Sequence, residues 1–89
     1  MIEREVEIVN RLGLHARAAA KLVHLAGSFR CDVSLVQNGE AVDAKSILGI
    51  LLLAAGQGSR ITLRCAGDDE DTAMAALTGL IADRFGEES

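Results

Sequence analysis

The stretch Cys31-Asp32-Val33-Ser34-Leu35-Val36-Gln37-Asn38-Gly39 decides the fold. Cys31, Val33 and Leu35 fall on one face of an extended chain, the period-2 pattern of a strand with one buried side. Asn38-Gly39 is the pair preferred in a two-residue type I′ turn, so a second strand returns antiparallel to the first.

Toward the N-terminus, Ile2, Arg4, Val6 and Ile8 alternate with Glu3, Glu5 and Glu7, which predicts another half-buried strand. Asn10 to Leu14, containing Gly13, breaks that alternation. An alanine-rich helix is then expected from Ala16 to Ala26, with Ala19, Leu22, Val23 and Ala26 on its apolar face and Gly27 as its stop. Toward the C-terminus, Ser46 is placed to N-cap a short apolar helix from Ile47 to about Ala54, closed by Gly56-Gln57-Gly58. Ile61, Leu63 and Cys65 form the inner face of a fourth strand. Asp68, Asp69, Glu70 and Asp71 put negative charge at the start of a last helix, where the helix dipole favours it. Ala73, Met74, Leu77, Leu80, Ile81 and Arg84 carry that helix toward a C-cap at Gly86. The order is β-α-β-β-α-β-α in one domain over residues 1–89. Its economical arrangement is an α+β open-faced β-sandwich, a four-stranded antiparallel sheet with three helices on one face.

Composition narrows the function. Eighty-nine residues hold one modest core and no deep interdomain cleft. Thirteen acidic against nine basic residues give a net charge of −4, which argues against general nucleic-acid binding. The two aromatics, Phe29 and Phe85, make no base-stacking platform. Cys31 and Cys65 lie far apart with no CxxC pair, so neither a metal site nor a disulfide framework is expected and both thiols read as core filler. No secretory signal and no apolar run near the roughly 20 residues of a membrane span are present, which predicts a soluble cytosolic protein without membrane insertion.

Chemistry concentrates at Gly13-Leu14-His15-Ala16-Arg17, where an imidazole stands at the start of a helix. The N–H groups of a first helical turn lack intrahelical partners and carry the positive end of the dipole, so an anion held there is stabilised. An unprotonated imidazole nitrogen is a competent nucleophile at neutral pH. The two together suit a phosphoryl group. Arg17, Lys21 and His24 recur at i, i+4 and i+7, making a basic stripe beside His15. Arg17 is placed to pair with phosphate oxygens, while His24 reads as a surface residue near a partner. Ile47, Leu48, Ile50, Leu51, Leu52 and Leu53 cover nearly every azimuth of one short helix. Some must remain exposed, and Ile47, Leu48 and Leu51 form a candidate docking patch. Ser46 has two compatible roles, as N-cap and as a phosphorylation site beside that patch. No Ser-His-Asp order, HExxH motif or P-loop occurs, so no self-contained catalytic site and no cofactor are expected.

With those residues assembled, the chain resembles the HPr family, the histidine-containing phosphocarriers of the bacterial phosphoenolpyruvate-dependent phosphotransferase system. The resemblance runs end to end. It is carried by Ile8-Val9-Asn10 leading into Gly13-Leu14-His15-Ala16-Arg17, by Ala44-Lys45-Ser46-Ile47-Leu48-Gly49, and by Gly56-Gln57-Gly58-Ser59. It implies that His15 takes a phosphoryl group on Nδ1 from Enzyme I, itself charged by phosphoenolpyruvate, and passes it to an IIA domain. It further implies that Arg17 pairs with that group and that the N–H groups of Ala16 and Arg17 cap it. Ser46 matches the residue that HPr kinase/phosphorylase modifies with ATP. Ile47, Leu48 and Leu51 match the family's docking surface, with Leu14, Ala20 and Lys21 at its rim. One departure is Ala18, where the family usually has proline. At the third helical position both residues are tolerated, because that N–H has no intrahelical acceptor.

The resemblance implies a carrier rather than an enzyme, and a monomer is the default for a carrier whose one exposed patch must dock successive partners. A second reading keeps the fold but makes the protein a signalling module, in a nitrogen-related branch or controlled through Ser46. A remote third, an acylphosphatase-like or ferredoxin-like small-molecule module, shares six elements in order but lacks a suitable water-orienting amide near Arg17.

Overall fold

Asn38 and Gly39 take φ values of 51° and 82°, the two positive values that a type I′ turn requires. The computed structural model describes residues 1–89 and folds β2 (Asp32–Gln37) back onto β3 (Glu40–Asp43), with Gln37 opposite Glu40. On its other side β2 pairs with β4 (Arg60–Ala66), which in turn pairs with β1 (Ile2–Glu7). The order is β1-β4-β2-β3 and every pairing is antiparallel. Cys65 therefore stands between Ile2 on one strand and Val33 on another.

The alternation read from the sequence becomes two unlike faces. Val33, Leu35, Ile61, Leu63 and Cys65 are buried. They lie under α1 (Ala16–Gly27), which contributes Ala18, Ala19, Leu22 and Ala26, and under α3 (Glu70–Ala82), which contributes Ala73, Met74, Leu77 and Ile81. The short α2 (Ile47–Leu53) adds only Ile50 among its buried residues. The opposite sheet face is open and charged, with Arg64–Glu3 and Arg60–Glu5 ion pairs at 3.0 and 3.2 Å across β1 and β4. Such exposed pairs fix register more than they stabilise.

Both cysteines are free core residues. Burial, aided by the neighbouring Asp69 carboxylate, pushes the Cys31 thiol up to about 11 and keeps it protonated and unreactive. Asp69 does not cap α3 with its side chain. Its carboxylate instead accepts the backbone N–H groups of Arg30 and Cys31 at 2.8 and 2.9 Å, joining the start of α3 to the entry of β2.

Three boundaries differ from those read in the sequence. Gly27 lies inside α1, and Ser28 is the cap. α2 is ended by Ala54 in the left-handed conformation, φ 51° and ψ 37°, before the Gly56-Gln57-Gly58 breaker is reached. α3 stops at Ala82 rather than running to a C-cap at Gly86, and a 3-10 turn follows at Arg84–Gly86. Arg84, Phe85 and Gly86 all have positive φ, at 57°, 55° and 77°. That departure turns the Phe85 ring into the core, where it is fully buried. Burying a phenylalanine is worth roughly 1.5–3 kcal/mol, which offsets the left-handed backbone.

Candidate functional site

The loop between β1 and α1 is fixed by contacts from distant parts of the chain. Ile8 exchanges backbone hydrogen bonds with the turn before β4, Ile8 N–H to Ser59 at 2.9 Å and Gly58 N–H to Ile8 at 2.7 Å. Gly13 sits at φ +66°, and a Cβ there would lie 2.5 Å from the Ala55 carbonyl oxygen and 2.7 Å from the Gly56 Cα. Only glycine allows this approach of two backbones. The next N–H, of Leu14, donates to the Ala55 carbonyl at 2.9 Å. The Leu14 side chain is 4% exposed, so its expected place at the rim is corrected: it is a core residue that anchors the loop.

His15 is the N-cap of α1, with φ −75° and ψ 177°, and its imidazole makes no capping bond. The first intrahelical bond runs from Ala19 N–H to the His15 carbonyl at 2.8 Å, leaving the N–H groups of Ala16, Arg17 and Ala18 without intrahelical acceptors. Nε2 of His15 meets the Glu87 carboxylate at 2.5 Å. The other Glu87 oxygen accepts Nδ2–H of Asn10 at 3.0 Å, and the same amide donates to the Gly13 carbonyl at 2.8 Å. Asn10 is fully buried, and those two acceptors set which way its amide points. Hydrogen bonds from Asn10 and then His15 hold the Glu87 carboxyl below the usual carboxylate range, so it is ionised at neutral pH.

Of the basic stripe, Arg17 is exposed and makes no ion pair or side-chain hydrogen bond, leaving its guanidinium available beside His15. Lys21 is partly buried and donates to the Phe85 carbonyl at 2.6 Å, pinning the C-terminal turn to α1. Ala20 and His24 are exposed on the same helix, as expected. Sequence reading missed Glu87, Asn10 and the Phe85 carbonyl. Glu87 lies 72 positions from His15, and nothing local marks it.

The Ser46 region follows its sequence signals. The Ser46 hydroxyl accepts the Gly49 N–H at 3.2 Å, which is an N-cap. Beyond it Ile47, Leu48 and Leu51 are exposed as expected, and Leu52, left out of the expected patch, is the most exposed of all at 74%. Leu48 and Leu52 stand one turn apart, and that i, i+4 spacing was the available signal. α2 packs against α1, so this apolar surface adjoins the helix that His15 caps.

No group of three or more His, Cys, Asp or Glu side chains is arranged to hold a metal ion. No helix is long and apolar enough to cross a membrane. The one surface groove, lined by Val6, Glu7, Val9, Thr78, Ile81 and Ala82 between β1 and α3, includes none of the candidate residues.

Residues 2–83 match the family model described as "PTS HPr component phosphorylation site". The chain is 58% identical over 87 residues to the phosphocarrier protein HPr of Cupriavidus necator, covering 98% of each chain. It is 46% identical over 88 residues to the phosphocarrier protein NPr of Shewanella violacea, covering 99% of this chain and 97% of that one. The crystal structure of HPr from Thermoanaerobacter tengcongensis superposes over 100% of both chains with a TM-score of 0.97 at 44% identity. A half-buried histidine capping a helix, set in an open-faced sandwich that superposes this closely, places the chain in the HPr family of phosphotransferase-system phosphocarriers.

Proposed function

We propose that His15 accepts a phosphoryl group from Enzyme I, itself charged by phosphoenolpyruvate, and passes it to IIA domains in the cytoplasm. The observation that carries this reading is the geometry of His15: it caps α1 with Nε2 engaged by Glu87, while no protein group occupies Nδ1. In the forward step the Nδ1 lone pair attacks phosphorus in line with the bond to the donor. That bond breaks with its electron pair going to the donor, and the reverse displacement delivers the group to the acceptor. Arg17 neutralises the phosphoryl oxygens, and the N–H groups of Ala16 and Arg17 donate to them. Ile47, Leu48, Leu51 and Leu52 dock successive partners, with Ala20, Lys21 and His24 along the adjoining helix.

Incubation with Enzyme I and phosphoenolpyruvate, followed by intact-mass measurement before and after brief acid treatment, tests this. The expected result is one phosphoryl group that acid removes and that His15→Ala never acquires. Acceptance retained by His15→Ala would falsify the assignment.

The likeness to an NPr protein supports a second reading, in which the same chemistry serves a signalling branch instead of sugar uptake. The placement of Ser46 as N-cap beside the docking leucines also suits control by HPr kinase/phosphorylase, since a phosphate there puts charge at the edge of the patch. Labelling with ATP in cell extract tests the second point. Labelling that persists unchanged in Ser46→Ala excludes it.

A further inference from the structure

We propose that Glu87 is a positioning residue that holds His15 in the tautomer with hydrogen on Nε2 and the lone pair on Nδ1. The proposal deepens the reading of His15 as phosphoryl acceptor and rests on it. An ionised carboxylate has acceptors only, so a contact of 2.5 Å to an imidazole nitrogen requires the hydrogen to be on that nitrogen. With Nε2–H committed to Glu87, a neutral ring carries its nucleophilic lone pair at Nδ1. As Nδ1 bonds to phosphorus, the ring acquires positive charge, and the carboxylate stabilises that charge through the same hydrogen bond. The Nε2–H bond stays intact throughout, so the transfer needs no further proton acceptor.

The rest of the C-terminal turn makes this contact reproducible. The buried Phe85 ring anchors the turn, Lys21 clamps the Phe85 carbonyl, and the Glu87 N–H donates to the Arg84 carbonyl at 2.9 Å. Asn10 then supplies the second support by donating to the other carboxylate oxygen. Held at both oxygens, the carboxylate keeps the orientation that selects a tautomer.

This arrangement makes Glu87→Gln more informative than a deletion. The Asn10 amide faces the Gly13 carbonyl and residue 87 with hydrogens only, so glutamine must turn its carbonyl oxygen to Asn10. Its NH2 then faces His15 Nε2, which accepts, and the ring hydrogen moves to Nδ1, the nitrogen that must attack. Glu87→Ala removes the preference without reversing it.

The test is nitrogen-15 NMR of the His15 ring in unphosphorylated protein, at a pH where the ring is neutral, for wild type, Glu87→Ala and Glu87→Gln. Acceptance from phosphorylated Enzyme I is timed in parallel. The expected result is an Nε2–H ring in wild type, a mixture in Glu87→Ala, and a shift toward Nδ1–H in Glu87→Gln with acceptance slowed about tenfold or more. A wild-type ring that is not Nε2–H, or a glutamine variant that keeps both the wild-type tautomer and the wild-type rate, overturns the proposal. Equal losses of thermal stability in both variants with the tautomer unchanged would assign Glu87 a purely structural role and also overturn it. Failure of wild type itself to accept a phosphoryl group removes the functional reading, whereas the ring measurement addresses Glu87 separately.

Discussion

The loop bearing His15 is held by residues from widely separated stretches, Asn10 and Gly13 before it, Ala55 and Ser59 past the middle of the chain, and Phe85 and Glu87 near its end. Ser46 and α2 take their ends from local signals, although the helix itself packs against α1 and β3. The Ser46 hydroxyl takes the N–H three residues on, Ala54 ends the helix through a left-handed backbone, and Ile50 is the helix's one buried side chain. For the proposed phosphoryl acceptor, which would present a ring nitrogen and helix amides together, such preorganisation enforced at several points is an advantage. For the proposed docking surface, exposed leucines on a short helix suffice.

The largest way to break this contrast is Phe85→Ala, which removes a fully buried ring and frees the turn that carries Glu87. It is expected to cost about 3–5 kcal/mol in denaturant unfolding and to broaden the His15 ring signals while leaving those of α2 in place. Gly13→Ala comes next, because its Cβ meets the Ala55–Gly56 backbone at positive φ. A loss of about 1–3 kcal/mol is expected, with slowed phosphoryl acceptance, measured by urea titration and by the rate from Enzyme I. Ser46→Ala deletes a local cap and should cost only about 1 kcal/mol without changing the rate of acceptance.

Acid sharpens the comparison further. The carboxyls of Glu87, Asp69 and Glu70 are all held below their ordinary values, Glu87 chiefly by Asn10, Asp69 by the Arg30 N–H, and Glu70 by the Gly67 N–H. A depressed folded-state value means stability fully present above the unfolded value and lost as pH falls through the folded one. The thermal midpoint is therefore expected to hold down to the ordinary carboxylate range and to fall below it. Glu87→Gln should make that fall shallower. The smallest effect belongs to Leu48→Ser and Leu52→Ser, at 65% and 74% exposure. Stability should stay within about 0.5 kcal/mol, while binding of Enzyme I, followed by calorimetry, weakens.

What the sequence made legible follows the same division. The Asn38-Gly39 turn, the strand alternation and the Ser46 cap are rules acting over two to four residues, and the structure follows each. His15 at a helix start was equally readable from its own neighbourhood. The rim position expected for Leu14 came from the family resemblance, and nothing beside it in sequence marks the Ala55 carbonyl that draws its backbone inward. The helical spacing of Leu77, Ile81 and Arg84 continued past the real end of α3, because burial of Phe85 outweighs periodicity there. Glu87 was invisible for the same reason: its contact with His15 depends on where a three-residue left-handed turn delivers it.

The hydrogen bond from Asn10 to Glu87 joins residues 77 positions apart in a chain of 89. Closing so long a loop carries an entropic cost, and non-local pairings of this kind slow folding. A nascent or truncated chain that already contains His15 but stops short of Glu87 has the imidazole without the carboxylate that contacts it. Orientation of the His15 ring is thus set late, by a residue made 72 positions after it.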